Sequence, residues 1–459
     1  MGAAFTVRMN GVGMLKFLIA GLALAVLVSP ASACETGLYR SSTGEQAAVV
    51  HPADGTTRYM LTDGRRGQFD TPQSLLTCDG DRVRLGGALW QRVPLKVTAT
   101  TFRSHRQMLT GWLIEPATAK PQPLVVMVHG SERTSPSQSV YPYVFAANGL
   151  TVFAYDKRGT GQSEGEYTQN FELLADDAAA ALGEARRLAA GRYTRSGFFG
   201  GSQGGWVAPL AATQVPADFV AVGFGLISSP REEDRDQVIT EMRELGYGEK
   251  DIGEATQLAD AASRIAASHF TSGFEQFQDL KRTYANRPWF ARIKGEYTGA
   301  MISESDADLR RVGQPLFDDV ELIWDYDAQA TLKHLKTPLL WVIAEKDREA
   351  PPELTLERLT SLRSAGANIA VYSFPDTDHG IYEFVLAADG SRAVTRVSEG
   401  YFRLVADWIK GETRGTAAPA NARRRPRSCA GDGAGSMSRV PSPHDILQRS
   451  GARSRSRAA

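Results

Sequence analysis

Three polar residues stand at positions where they could act together in nucleophilic catalysis. Ser202 lies in Gly200-Gly201-Ser202-Gln203-Gly204, while Asp347 and His379 each follow an apolar run later in the chain. A histidine can take the proton of a serine hydroxyl, and a carboxylate can orient the ring and stabilise its charged form. The order serine, acid, histidine is the one that a Gly-x-Ser-x-Gly turn predicts.

The residues around the serine fit a sharp turn between a strand and a helix. Such a turn needs small residues two positions before and after the serine, and Gly200 and Gly204 meet that need. The backbone N–H of Gln203 would then lie at the positive end of the following helix. With the N–H of Ser131, which follows an earlier apolar run, it would form a site for a developing oxyanion.

Each of these assignments has an ordinary structural alternative. A chain with 44 glycines contains Gly-x-Ser-x-Gly turns by chance, and Asp347 can equally cap a turn or helix because prolines follow it. Glu345 is the alternative acid. His379 can equally be a solvent-exposed loop residue, and the side chain of His129 is expected to be structural rather than catalytic.

The elements that must position these residues indicate an α/β protein. From about residue 98, apolar runs typical of buried strands alternate with helical patterns such as the apolar repeat over 171–188. Continuous apolar strands separated by amphipathic helices predict a mostly parallel sheet with helices on both faces. Active sites of such sheets lie at the carboxyl ends of the strands.

The same patterns divide the chain into segments. Residues 34–97 predict a small β-rich module, and residues 98–229 and 336–411 form the sheet-containing core. Residues 230–335 lack a strong strand run and predict a helical cap inserted into that core. Seven aromatic residues of the cap fit an acyl-binding pocket and an ordinary cap core equally well; they are Phe270, Phe274, Phe277, Tyr284, Trp289, Phe290 and Tyr297.

The first 33 residues predict a cleaved export signal. Arg8 and Lys16 precede an apolar run that is short for a membrane span, and an Ala-Ser-Ala ending follows. We therefore expect the mature protein in the periplasm or outside the cell. There Cys34 and Cys78 are expected to form a disulfide, whereas lipidation of Cys34, with attachment to a membrane, is the alternative.

Charge and composition limit the classes of molecule that the protein is expected to bind. The chain has 52 basic and 52 acidic residues, but residues 34–411 alone carry a net charge of −9, which disfavours a nucleic-acid binder. The basic segment 412–459 is poor in large aliphatic residues, which predicts disorder. No pattern indicates a metal site or a cofactor, and none indicates the oligomeric state.

Taken together, the motifs resemble the α/β-hydrolase superfamily. The His-Gly pair at 129–130, the turn around Ser202, Asp347 and His379 each stand in the expected strand context. The segment 156–163 also resembles the Asp-x-Arg-Gly-x-Gly-x-Ser loop that follows the fourth core strand in that superfamily. The turn and the cap look like those of secreted bacterial esterases and of the related prolyl-oligopeptidase-like branch.

This resemblance covers 98–229 and 336–411 and implies a secreted serine hydrolase that cleaves small-molecule carboxylic esters through an acyl-enzyme on Ser202. A serine peptidase or amidase of the prolyl-oligopeptidase-like type is the alternative. A noncatalytic binding protein on a hydrolase scaffold is disfavoured, because no member of the serine, acid and histidine set is missing. Within the 156–163 loop, Arg158 is expected to brace the oxyanion loop.

Overall fold

The computed structural model describes residues 35–412, except 53, 69–75, 80–81, 86, 119, 318–319 and 389, together with 423–424. The predicted export signal and Cys34 lie outside the described residues. Export, lipidation and the Cys34–Cys78 disulfide therefore stay predictions. Cys78 is half-buried in the amino-terminal sheet.

The amino-terminal residues form an antiparallel sheet, as predicted. Its strands are β1 (Gly37–Arg40), β2 (Gln46–Val50), β3 (Arg58–Leu61), β4 (Arg66–Gln68), β5 (Leu76–Asp79), β6 (Arg82–Leu85) and β7 (Ala88–Val93), in the order β4-β3-β2-β1-β7-β6-β5. Side chains alternate between its two faces. Tyr39, Tyr59 and Trp90 fill a small core on one face, while Ala48 and Met60 on the other pack into the main core.

The main sheet is mostly parallel, which confirms the predicted fold class. Its strands are β8 (Leu95–Ser104), β9 (Gln107–Pro116), β10 (Gln122–Val128), β11 (Thr151–Tyr155), β12 (Tyr193–Gly201), β13 (Phe219–Gly223), β14 (Leu339–Ala344) and β15 (Ile369–Phe374). They lie in the order β15-β14-β13-β12-β10-β11-β9-β8. The chain reverses direction across the sheet at β10, which lies between β11 and β12. Such a switch point opens a crevice at the carboxyl ends of the strands.

Helices cover both faces of this sheet. The α-helices are α1 (Tyr141–Ala147), α2 (Phe171–Leu188), α3 (Gly204–Gln214), α4 (Pro230–Glu244), α5 (Glu249–Ala267), α6 (Phe274–Tyr284), α7 (Thr298–Ser303), α8 (Asp306–Phe317), α9 (Ala328–His334), α10 (Pro352–Ser364) and α11 (Tyr401–Lys410). Short 3-10 helices occur at Pro136–Gln138, Phe290–Arg292 and His379–Ile381. Residues of α1 and α11 share one buried cluster with the sheet, whereas residues of α2, α3, α9 and α10 share the cluster on its other face.

The inserted segment is helical and has a core of its own. Helices α4 to α8 lie between β13 and β14, and their apolar side chains form a cluster separate from the two at the sheet. Six of the seven cap aromatics are buried in that cluster, and Phe290 packs against it. The structure thus places these aromatics in the cap core. Helix α9 packs on α3 instead, so the independently packed cap ends before it.

The end of the described chain adds two small features. Strands β16 (Thr377–Asp378), β17 (Tyr382–Leu386) and β18 (Arg392–Val397) form an antiparallel sheet after β15. Strand β19 (Arg423–Arg424) pairs antiparallel with the edge of β15. The prediction that all of 412–459 is disordered is therefore wrong at these two residues, because backbone pairing with an exposed strand edge needs no apolar side chain.

A buried ion pair fixes the loop that follows β11. The guanidinium of Arg158 donates two hydrogen bonds to the Asp177 carboxylate of α2, at 2.8 and 2.6 Å, and both residues are buried. Bidentate pairing of this kind satisfies both charges. Removing one partner would leave an unpaired buried charge, which is strongly destabilising.

We expect Arg158→Met to lower the free energy of unfolding by about 3–5 kcal/mol, measured by urea denaturation. Arg187→Met is the matched control, because Arg187 pairs with Glu184 on the same helix but is largely exposed. That variant should unfold like the wild type, since exposed pairs contribute little. Equal losses of stability in the two variants would contradict the account.

Candidate active site

Ser202 lies on a strained turn between β12 and α3. Its φ of 53° is in the left-handed region, which residues other than glycine rarely adopt. A Cβ on Gly200 would overlap the carbonyl oxygen of Gly204, and a Cβ on Gly204 would lie 2.9 Å from the oxygen of Val128. The two glycines are therefore required by backbone contacts, and the turn projects Ser202 beyond the end of the sheet.

Two backbone N–H groups lie beside this serine. Because Val128 of β10 pairs in register with Gly200 of β12, the loop after β10 comes next to the turn. A Cβ on Gly130 would lie 3.5 Å from the Cβ of Ser202. In the described part of the chain, no protein acceptor takes the N–H of Ser131 or of Gln203. Both predicted donors are thus free to bind an oxyanion.

His129 holds the start of this oxyanion loop, which we define as residues 129–133. Its Nε2 lies 2.5 Å from the carbonyl oxygen of Tyr155, and its ring packs edge-on against the Tyr155 ring. Since a carbonyl can only accept, Nε2 carries the proton. His129 is 8% exposed, and these are the contacts of a structural histidine.

The expectation that Arg158 braces the oxyanion loop is wrong. Its guanidinium points to Asp177 of α2, and the neighbouring Lys157 contacts the loop instead. Lys157 Nζ donates to the carbonyl oxygen of Gly130 at 2.6 Å. Adjacent residues of a turn point to different sides, and no periodic pattern in this irregular loop could show which of the two cations faces the site.

Asp347 and His379 are brought together after β14 and β15. The Nδ1 atom of His379 lies 3.0 Å from Asp347 Oδ2 and 3.2 Å from Oδ1. Asp347 is 2% exposed, and its Oδ1 also accepts the backbone N–H groups of Glu349 and Ala350. The carboxylate thus fixes the proton on Nδ1 and leaves Nε2 available as a base. Glu345, the alternative acid, accepts a hydrogen bond from Ser373 at 2.6 Å instead.

The pair also sets the basicity of the histidine. Burial alone would lower the pKa of His379, but the charge of Asp347 and its hydrogen bond outweigh burial and raise the pKa to about 9. Burial raises the pKa of Asp347 above its usual range, although the bond with His379 opposes this. At neutral pH the ring is therefore mostly protonated, and it becomes a base as the pH rises.

Ser202 and His379 are not joined by a hydrogen bond in the described structure. The ring of Phe224 packs edge-on against His379 at 5.0 Å, and a Cβ on Gly201 would lie 2.6 Å from the tip of the same ring. Phe224 thus contacts the histidine and the strand that carries the serine. In free enzymes catalytic hydrogen bonds often tighten only when substrate binds.

A cavity of about 260 Å³ opens at Ser202. Its walls are largely apolar and include Pro142, Phe199 and Phe224. The side chain of Glu132 also lines it, and its Oε2 would lie 2.5 Å from a Cβ on Gly130. Burial raises the pKa of Glu132, but the contact with His129 and the charge of Lys157 outweigh it and lower the pKa to about 2. Sequence reasoning did not single out Glu132.

The described residues contain no group of three or more His, Cys, Asp or Glu side chains arranged to hold a metal ion. None of their helices combines the length and the apolar composition needed to cross a bilayer.

The fold and the site define an α/β-hydrolase: a mostly parallel sheet with a serine turn after its fifth strand, followed by an acid and a histidine after later strands. Residues 119–244 match the family described as serine aminopeptidase, S33. This match agrees with the resemblance inferred from the motifs, and the described fold is of the α/β-hydrolase type. No curated protein sequence matches it.

Solved structures of several hydrolases are similar to the chain. An esterase of Pyrococcus furiosus, Pf2001, is 16% identical over 62% of this chain and 84% of its own, with a TM-score of 0.39. An acylaminoacyl peptidase of Pyrococcus horikoshii is 16% identical over 76% of this chain and 46% of its own, with a TM-score of 0.38. The α/β-hydrolase GrgF of Penicillium sp. sh18 is 18% identical over 63% of this chain and 92% of its own, with a TM-score of 0.39.

We expect Asp347→Asn to move the rising arm of the pH–rate profile to lower pH. The carboxylate raises the pKa of His379, so its loss lowers that pKa and makes the ring neutral at lower pH. The maximal rate should fall roughly a thousandfold or more, because the asparagine no longer stabilises the charged ring. The measurement is kcat/KM for an aryl ester between pH 5 and pH 10.

Glu345→Gln is the control for this pair, because Glu345 follows the same strand but contacts Ser373. Its rising arm should coincide with that of the wild type. A shift in Glu345→Gln and none in Asp347→Asn would contradict the assignment of the acid.

Proposed function

We propose that the protein hydrolyses carboxylic esters of small molecules through an acyl-enzyme on Ser202. The observation that carries the proposal is the position of Ser202, on a left-handed turn that opens into a largely apolar cavity of about 260 Å³. A cavity of this kind can accept an apolar acyl or alcohol group, while the polar groups beside Ser202 fix the ester.

The proposed reaction has two stages. His379 Nε2 takes the proton of Ser202 as its oxygen bonds to the ester carbon, and the N–H groups of Ser131 and Gln203 hold the resulting oxyanion. The carbon–oxygen bond to the alcohol then breaks, and the alcohol leaves with the proton from His379. Water attacks the acyl-enzyme by the same route and releases the acid and Ser202. Asp347 stabilises the charged ring in both stages.

Aminopeptidase activity is the second candidate, and acidic residues near His379 favour it. Glu349 Oε1 lies 3.7 Å from His379 Nε2. Burial raises the pKa of Glu233, on α4 of the cap, well above its usual range, and the charges of Glu296 and Glu349 raise it further. A carboxyl group next to the base offers hydrogen-bond acceptors to the amino group of a substrate. The description of the matched family agrees with this candidate.

We also propose that the protein works outside the cytoplasm. The proposal rests on the export signal predicted over residues 1–33, with lipidation at Cys34 as the alternative to a disulfide.

The choice between the two activities is tested with a substrate panel. We expect the mature protein to hydrolyse short-chain aryl esters faster than aminoacyl and dipeptidyl arylamides, because the cavity at Ser202 is largely apolar. Ser202→Ala should lose essentially all turnover, since Ser202 forms the acyl-enzyme in the proposed reaction. Turnover is followed by release of the chromogenic alcohol or amine.

Ser361→Ala is the matched control, because Ser361 is an exposed serine of α10 away from the site. It should retain the activity of the wild type. Faster cleavage of the aminoacyl arylamides would favour the aminopeptidase, whereas equal turnover by the wild type and Ser202→Ala would reject Ser202 as the nucleophile.

A further inference from the structure

Lys157 is a buried cation that has no ion-pair partner among the described residues. It is 1% exposed, and no carboxylate of the described residues lies within 4.0 Å of its Nζ. The ammonium instead donates to the carbonyl oxygen of Gly130 at 2.6 Å and lies 3.4 Å from Gln203 Oε1. Burial of a charge without a paired opposite charge costs stability, so the presence of a buried ammonium here calls for a role other than stability.

Both contacts are made to groups that are covalently linked to the predicted oxyanion donors. Gly130 contributes the carbonyl of the peptide unit whose N–H belongs to Ser131, and Gln203 supplies the other N–H. In a trans peptide the C=O and N–H point in opposite directions. By holding the Gly130 oxygen, Lys157 therefore turns the Ser131 N–H away from itself, in a peptide unit that lies next to Ser202.

A second contact holds the other end of this peptide segment. The Tyr167 hydroxyl donates to the carbonyl oxygen of Ser131 at 2.5 Å, and its ring lies 5.1 Å from Lys157 Nζ. Two successive carbonyls of the oxyanion loop are thus fixed by the segment after β11. Of these two groups, only Lys157 also reaches Gln203.

We propose that Lys157 is a positioning residue that sets the oxyanion hole, by fixing the Gly130–Ser131 peptide and the Gln203 side chain with one ammonium group. This inference rests on the proposed serine hydrolase function and adds a residue to it. Lys157 touches no reacting atom and acts through the two N–H donors, whose alignment is effective only when it matches the developing oxyanion.

The contribution of Lys157 to the oxyanion hole depends on pH, because it depends on the charge of the ammonium group. The charged or titratable groups that face it are Glu132 and Arg133 of the oxyanion loop and Tyr167 of the next loop. Burial lowers the pKa of Lys157 to about 8, while Glu132 opposes this and Arg133 adds to it. Above that pH the charge-assisted bond to Gly130 becomes a weaker neutral one.

The test compares Lys157→Met with the wild type on an aryl ester and on an arylboronic acid, which forms a negatively charged tetrahedral adduct on serine. We expect kcat to fall roughly ten- to a hundredfold. This decrease is at most as large as the one caused by removing a whole oxyanion-hole donor. The boronic acid should bind more weakly by a similar factor, while KM changes less than about threefold because the defect is confined to the transition state.

Lys333→Met is the matched control. Lys333 is an exposed lysine of α9 and does not line the cavity at Ser202, so the same substitution there removes a cation outside the site. It should keep the kcat and the boronic acid affinity of the wild type. Wild-type kcat and affinity in Lys157→Met would overturn the inference. So would equal losses in the two variants, since the loss would then not depend on the contacts of Lys157.

The pH profile gives a readout that a structural role would not move. With His379 near pKa 9 and Lys157 near 8, log kcat/KM of the wild type should rise up to about pH 8, level off to about pH 9 and then fall. Lys157→Arg keeps a cation at every pH, so its profile should rise to about pH 9 without falling. A falling arm retained in Lys157→Arg would overturn the inference. If Lys157→Met does not fold, the profile of Lys157→Arg alone tests the inference.

The same assays distinguish a wrong role for Lys157 from a wrong proposed function. A wild type that is active, is inactivated by Ser202→Ala and is unaffected by Lys157→Met would overturn only the role of Lys157. Equal activity in the wild type and Ser202→Ala would remove the hydrolase mechanism and with it the oxyanion hole that Lys157 is inferred to set.

Discussion

The backbone at Ser202 is the constraint on which the rest of the site depends. The left-handed turn at Ser202 brings Gly200 and Gly204 into backbone contact, and the end of β10 lies so close that a Cβ on Gly204 would be 2.9 Å from the oxygen of Val128. Parallel pairing of β10 and β12 provides that neighbour. The same pairing brings the oxyanion loop to the serine, so one sheet contact supplies both the turn and its two N–H donors.

Buried charges then complete the site, each held by a different part of the fold. The loops after β14 and β15 join Asp347 to His379, which raises the pKa of the histidine and orients its ring. The loop after β11 carries Lys157 to the oxyanion loop, where it contacts a carbonyl rather than a carboxylate. In a site of low dielectric these contacts are stronger than they would be in water. The inserted cap contributes Glu233, which interacts electrostatically with Glu349 and Asp347, and it packs its aromatics in its own core.

Much of this arrangement follows from local sequence patterns. The turn at Ser202 and the strand contexts of Asp347 and His379 predict the parallel sheet and the residues at its carboxyl ends, because apolar runs and glycine spacing are local signals. The direction in which Lys157 points is set by the backbone of an irregular loop. Such a loop has no sequence periodicity from which side-chain directions could be predicted. The pairing of Arg423 with β15 depends on a strand edge far away in the chain. Burial patterns alone also cannot separate a cap core from a ligand pocket.

The central claim is that Ser202 is the nucleophile of a serine hydrolase. It is tested most directly by incubating the folded protein with an aryl fluorophosphonate, which reacts with an activated serine, and mapping the adduct by peptide mass spectrometry. The account predicts one adduct, on the peptide that contains Ser202, and slower labelling of Asp347→Asn because His379 is then a poorer base. An adduct on a different serine, or none on the folded wild type, would contradict it.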